Sequence, residues 1–192
     1  TYTLEEYLEL DARSEERLEY WDGEIFSMSG VSEQHDLIET NLVYRLKGHL
    51  EGRSYRIFAA NMRIKVPSMP PYRYGDFSAL CGKPQFEKTG GVDVLTNPSL
   101  IIEVLSDSTE RYDHGDKFSN YKSIPALAEY LLIAQHRPHV SQFIKQSDDS
   151  WRNLEFNALD DVLKVVTLES ELTLSEIYQD VSFLPAAQFP LM

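Results

Sequence analysis

Six residues, Leu100-Ile101-Ile102-Glu103-Val104-Leu105, constrain the fold more than any others. A run that is apolar at successive positions has no solvent side, so as a strand it must be covered on both faces. Asn97-Pro98 before it is a loop signal. Ser106-Asp107-Ser108-Thr109 after it is a polar turn rich in helix-capping residues. Asp113 to Ser123 then reads as a helix with Asp113, Lys117 and Tyr121 on one face, stopped by Pro125. Glu129 to Ile133 reads as a second buried strand. The stretch is therefore a βαβ unit, which points to an α/β fold. One carboxylate, Glu103, stands inside the apolar run. Burying it costs free energy unless a metal or a base pairs with it. Lys117, on the helix that follows, is a candidate base.

The rest of the chain reads as elements around this unit. Thr3 and Glu6 form a capping box for a short helix to about Leu10. Leu18–Trp21 and Ile25–Met28 flank Asp22-Gly23, a strong hairpin signal. Ser29-Gly30 breaks the second strand, and Ser32 caps a long helix to about His49 with Leu37, Ile38, Leu42, Leu46 and Leu50 on its buried side. Tyr55–Ala60 and Met62–Val66 read as strands, and Pro67, Pro70 and Pro71 as a stiff loop. Asp76 follows, at the mouth of a short apolar run that ends at Cys81 and is expected to be buried. Lys83–Asn97 reads as a polar, mobile connector suited to a lid. Val140–Lys145, Trp151–Phe156 and Val162–Leu168 read as an antiparallel extension, and Leu174–Tyr178 as a last helix.

A length of 192 residues fits one domain, expected to span the whole chain, 1–192. No apolar run reaches the roughly 18 residues of a membrane span. The lone Cys81 cannot form an internal disulfide, which fits a reducing, cytoplasmic setting. One cysteine and scattered histidines give no zinc-ligand spacing. The net charge of −13 argues against a general nucleic-acid coat protein. That charge is uneven. Arg45 to Arg73 holds seven basic residues and one acid, while the remainder holds 11 basic and 30 acidic residues, a net of −19. The basic segment, with Arg63, Lys65 and Arg73, leads straight to Asp76. It reads either as a phosphate-facing stripe or as ordinary solvated strand positions.

Five pieces in order carry a family resemblance. They are Leu18-Glu19-Tyr20 to Asp22-Gly23-Glu24-Ile25, His35 with Asn41-Leu42, Asp76, Glu103-Val104-Leu105-Ser106, and Asp116-Lys117 to Tyr121. Together they resemble the PD-(D/E)xK nuclease superfamily, in particular its large bacterial family of restriction-endonuclease-like proteins. The resemblance covers the chain from Thr3 to about Ala134. It implies a restriction-endonuclease-like core, with a central mixed β-sheet flanked by helices and an N-terminal hairpin. It also implies a metal-dependent endonuclease acting on DNA, with Mg²⁺ or Mn²⁺ as cofactor and a homodimer as the assembly. Two positions depart from the pattern. Gly75 stands where the family has Pro, and Leu105 stands where the superfamily has its Lys. The family pattern supplies the lysine from the next helix, which here is Lys117.

The chemistry expected is that of a hard divalent ion held by the Asp76 and Glu103 carboxylates and the Val104 carbonyl. Lys117 stabilises the charge that grows on phosphorus. Glu19, His35 and Tyr121 support the site. His35 and Glu39, four apart on one helix, also read as a plain hydrogen-bonded pair. Asp76 has a second reading as a turn cap, and Lys117 as a solvated helix residue. The competing function is a nuclease-fold binding or regulatory module without catalysis, which the acidic charge and Leu105 favour.

Overall fold

The computed structural model describes all residues except 22, 28–29, 69–71, 90, 107–112 and 184–192. The expected turn positions Asp22, Ser29, Pro70, Pro71, Asp107, Ser108 and Thr109 therefore lie outside the described residues.

Helix α1 (Leu4–Arg13) begins with the expected capping box: Thr3 Oγ1 accepts the Glu6 N–H and Glu6 Oε2 accepts the Thr3 N–H. It runs past Leu10 to Arg13. Its buried Tyr7 donates a 3.0 Å hydrogen bond to the Leu18 carbonyl and so fixes the hairpin of β1 (Leu18–Trp21) and β2 (Glu24–Ser27). Helix α2 (Glu33–His49) starts at its N-cap Ser32. Seven strands follow: β3 (Tyr55–Ala59), β4 (Arg63–Lys65), β5 (Tyr72–Tyr74), β6 (Phe77–Cys81), β7 (Phe86–Thr89), β8 (Val92–Leu95) and β9 (Leu100–Leu105). A π-helical turn, Asp113–Lys117, leads into α3 (Phe118–Tyr121). The chain then forms β10 (Glu129–Ala134), β11 (Val140–Lys145), β12 (Trp151–Phe156), β13 (Val162–Val165), β14 (Ser170–Thr173) and α4 (Leu174–Ile177).

The central sheet has the order β12-β11-β10-β9-β6-β3. Strands β9 and β10 pair in parallel, Glu103 opposite Leu132, and every other pair in the sheet is antiparallel. The sheet is mixed, with a helix layer on each face. Strand alternation divides β9 between the two layers. Leu100, Ile102 and Val104 pack with Ile38, Leu42 and Leu46 of α2. Ile101 and Leu105 pack on the opposite side with Phe118, Tyr121, Tyr130 and Leu132. All six β9 residues are buried, as an uninterrupted apolar run requires. Each such leucine or isoleucine contributes about 1.5–3 kcal/mol on burial. Glu103 shares the side of Ile101 and Leu105, so the carboxylate points at the layer that contains α3.

Three expectations fail. Lys83–Asn97 is not a lid: it contains the β7–β8 hairpin, and β8 pairs in parallel with β4 in a second sheet of order β5-β4-β8-β7. Val94 and Leu95 anchor it in the core, while Glu87, Lys88 and Asp93 face water and hide the strand pattern. Val162–Leu168 does not extend the central sheet. β13 pairs with β14 in a separate hairpin, and Val166–Leu168 is a 3₁₀ turn. Cys81 is exposed, because it closes β6 just beyond the buried Leu80.

Candidate active site

The site is built where β6 and β9 run side by side. Phe77 pairs with Ile102, so Asp76, one residue earlier, stands level with Glu103, one residue later. Asp76 Oδ2 accepts the Val104 N–H at 2.7 Å, which ties the loop end of β6 to β9. Gly75 lies close to β9. A Cβ there would sit 3.0 Å from Ile101 Cγ2, so that side chain would have to give by a few tenths of an ångström, and 3.5 Å from Glu103 Oε1, an ordinary contact.

Lys117 reaches Glu103 from the other layer. Its Nζ lies 3.0 Å from Glu103 Oε2 and 3.5 Å from Asp113 Oδ1. Both lysine and glutamate are enclosed, with side chains 4% and 3% exposed. The π-turn brings Asp113 and Lys117 onto the same side of the helix, and such turns recur at functional sites. Tyr130 O–H donates to the Asp113 carbonyl at 3.2 Å and pins the start of that turn. Tyr121 O–H donates to Glu103 Oε1 at 2.9 Å. Both oxygens of Glu103 are therefore engaged, one by an ammonium and one by a phenol.

On the α2 side, His35 Nε2 lies 3.1 Å from Glu39 Oε1 and 3.5 Å from Asp76 Oδ2. Glu19 is buried behind the site, where its Oε1 accepts the Tyr74 N–H at 3.4 Å and stands 3.9 Å from Arg73 Nε. The expected residues Glu19, His35, Asp76, Glu103, Lys117 and Tyr121 thus occupy one neighbourhood. Val104 joins them through its N–H. Asp113 was legible only as an i,i+4 partner of Lys117, and Glu39 only as that of His35. That spacing was the sole signal for either.

Arg63, Lys65 and Arg73 do not form an open basic stripe. Arg73 is fully buried and donates to the Tyr20 carbonyl at 2.7 Å. Arg63 is also buried, paired with Asp11 and donating to the Tyr74 hydroxyl at 3.1 Å. Lys65 is half-buried and paired with Glu87. Arg63 and Arg73 hold α1 and the first hairpin onto β4 and β5, so neither presents its charge to a nucleic acid.

The electrostatics follow from burial and crowding of carboxylates. Burial disfavours the charge on Lys117, but Glu103, Glu19 and Asp113 outweigh it and hold its pKa well above the usual lysine value. Burial pushes Glu103 up, against the pull of Lys117. Burial likewise opposes charge at Asp76, but His35, Lys117 and the Val104 N–H bring its pKa below the ordinary value. At His35 burial works against the proton, yet Asp76 and Glu39 raise the pKa from 6.5 to about 9.

A raised folded-state pKa makes stability depend on protonation. The His35 contribution is fully present below pH 6.5 and is lost as pH rises through about 9. In EDTA, urea unfolding at pH 6 and at pH 9.5 should show this loss in the wild type and a much smaller one in His35→Gln. Parallel losses in the two proteins would remove His35 as its source.

The donor set fits a divalent cation. Asp76 Oδ1 accepts no hydrogen bond among the described residues, and each carboxylate oxygen has lone pairs beyond those its protein donors use. Asp76, Glu103 and the Val104 carbonyl are the residues expected to hold the ion. The imidazole of His35 and the carboxylates of Glu39 and Asp76 also converge, their ligand atoms all within 4.8 Å of one another.

Comparison with known proteins bears on the family and the fold. Residues 4–176 match the model of the Uma2 family, described as putative restriction endonuclease. Two uncharacterized proteins of Synechocystis are similar to the chain. One is 32% identical over 179 residues, 93% of this chain and 92% of the relative. The other is 37% identical over 149 residues, 78% of this chain and 84% of the relative. Among solved structures, a putative nuclease of the DUF820 group from Anabaena variabilis superposes with a TM-score of 0.74 at 18% identity. That match covers 93% of this chain and 98% of the other, and it establishes a shared fold. With a family model matched over most of its length, this chain belongs to the Uma2 family of putative restriction endonucleases.

Proposed function

We propose that the chain is a metal-dependent endonuclease that hydrolyses DNA phosphodiester bonds. The observation that carries this reading is the meeting of Asp76, Glu103 and Lys117 from three separate elements, with Lys117 Nζ 3.0 Å from Glu103. A structural ion pair alone does not call for Asp76 at the same strand end.

In this reading Asp76, Glu103 and the Val104 carbonyl hold Mg²⁺ or Mn²⁺. Such an ion, when bound, lowers the pKa of water and offsets charge on the phosphate. The protein's own groups do the rest. Lys117, kept charged by its carboxylates, faces the phosphoryl oxygens as negative charge accumulates there. A water oxygen forms a bond to phosphorus while the bond to the leaving ester oxygen breaks, and that oxygen leaves with a proton. Tyr121 and Asp113 keep Lys117 and Glu103 in register, and Glu19 and His35 keep the surrounding charge in place. DNA as substrate, a homodimer that cuts two strands and a cytoplasmic setting belong to the same proposal. The family description and the nuclease named for the similar fold support the nuclease part of it.

A second reading has its own observation. Leu105 fills the superfamily's lysine position and is fully buried, and the chain carries −13 overall. A nuclease fold retained as a binding or regulatory module would show both. Incubation with covalently closed circular DNA separates the two, because a circle has no end for an exonuclease to enter. The nuclease reading expects nicked and linear forms with Mg²⁺ or Mn²⁺ and none with EDTA. Uncut circles under both conditions would favour the module.

A further inference from the structure

We infer that His35, Glu39 and Asp76 form a divalent-ion site that selects first-row transition ions, such as Mn²⁺ or Co²⁺, over Mg²⁺. The site shares Asp76 with the nuclease reading but does not require the chain to cut DNA.

The spacing of the three ligand atoms suits a single shared ion. Bonds of about 2.1 Å place neighbouring ligand atoms about 3.0–3.4 Å apart around one ion. His35 Nε2 stands 3.1 Å from Glu39 Oε1 and 3.5 Å from Asp76 Oδ2. All three atoms lie within 4.8 Å of one another. The His35 ring is held at the first turn of α2, whose start is fixed by the Ser32 side chain accepting the His35 N–H at 3.2 Å. Asp76 is fixed by the Val104 N–H.

Without an ion the cluster is underfilled. Nε2 carries at most one hydrogen, yet the Glu39 and Asp76 oxygens both lie within its reach, so it can donate to only one of them. Asp76 Oδ1 also has no hydrogen-bond donor among the described residues. A dication at the centre satisfies all three groups at once. Two carboxylates and a neutral imidazole carry a formal charge of about −2, matched to such an ion.

Access and donor type set the preference. The side chains of His35, Glu39 and Asp76 are 10%, 24% and 15% exposed, so solvent reaches the cluster. Glu103, at 3%, is closed in by Lys117 and Tyr121. An imidazole nitrogen suits Mn²⁺, Co²⁺ and later ions better than Mg²⁺, which wants an all-oxygen shell. Lys117 is close enough to lower the Asp76 pKa, but it is not one of the cluster's ligands. Its hydrogen-bonding partners are Glu103 and Asp113.

The test is titration of the metal-stripped full chain with Co²⁺, followed by its visible absorption and by calorimetry, and then with Mg²⁺. We expect one Co²⁺ bound at least about 10-fold more tightly than Mg²⁺. His35→Ala and Glu39→Gln should each weaken Co²⁺ binding by about 10-fold or more, whereas Glu103→Gln should change it by less than about 3-fold. Glu39→Gln keeps the side-chain shape, so it decides the matter if His35→Ala fails to fold, which far-ultraviolet dichroism reports. No Co²⁺ binding by the wild type overturns the site. So does undiminished binding in both His35→Ala and Glu39→Gln, or loss in Glu103→Gln alone. Co²⁺ binding with uncut circular DNA would leave the site standing while the nuclease reading falls. DNA cleavage with unchanged Co²⁺ binding in both variants would do the reverse.

Discussion

Glu103→Gln should destabilise the protein by about 3 kcal/mol, and adding Lys117→Met should recover part of that loss. Breaking a buried ion pair by removing one partner costs about 3–5 kcal/mol, because the remaining charge stays desolvated without compensation. Glu103 and Lys117 are such a pair, 3.0 Å apart and almost completely enclosed. The lower end of the range applies because Asp113 still stands 3.5 Å from the ammonium. Met fills nearly the volume of the lysine stem without its charge, so the double variant removes both charges of the pair, while Asp113 loses its ammonium and keeps the recovery partial. Urea unfolding of the four proteins in the cycle measures the coupling. Additive losses would mean that the pair contributes nothing through its charges. This pair also makes Lys117→Ala an unsuitable probe of chemistry, since it opens a cavity beside two buried acids.

The second large effect is on turnover. Lys117→Met should slow DNA cleavage by about 10²-fold or more, the scale of removing one preorganised group from an active site. The superfamily position for the ammonium is Leu105, which packs against Phe118 and Tyr121 and supplies no charge. Among the described residues of the π-turn and α3, Lys117 is the lysine that touches Glu103. Lys122 lies beyond α3, with its ammonium 4.8 Å from the centre of the Phe118 ring. Rates are to be compared at a temperature where unfolding curves show both proteins native, so that lost stability is not read as lost chemistry. Equal rates would assign the ammonium a structural role.

These expectations were legible unevenly in the sequence, for physical reasons. The β9 run announced its own burial, since five apolar residues and one acid in succession leave no solvent face, and Glu103 and Lys117 followed from it. Asp76 was placed by the short apolar run that begins at Phe77. The basic segment misled because charge counting is local, whereas Arg63 pairs with Asp11 and Arg73 stands beside Glu19, each more than fifty positions away. The β7–β8 hairpin was hidden because each of its strands has four residues and its outward side is charged. Glu39 gave only helical spacing, and its closeness to Asp76 depends on how α2 lies across the sheet.

The central claim is that Asp76 and Glu103 form the working end of a nuclease. Its most direct test is the initial rate of nicking of supercoiled plasmid in Mn²⁺ by the wild type, Asp76→Asn and Glu103→Gln, each confirmed folded by dichroism. The account predicts wild-type nicking that EDTA abolishes and at least about 10²-fold slower nicking by both variants. Wild-type nicking no faster than that of Asp76→Asn would contradict it.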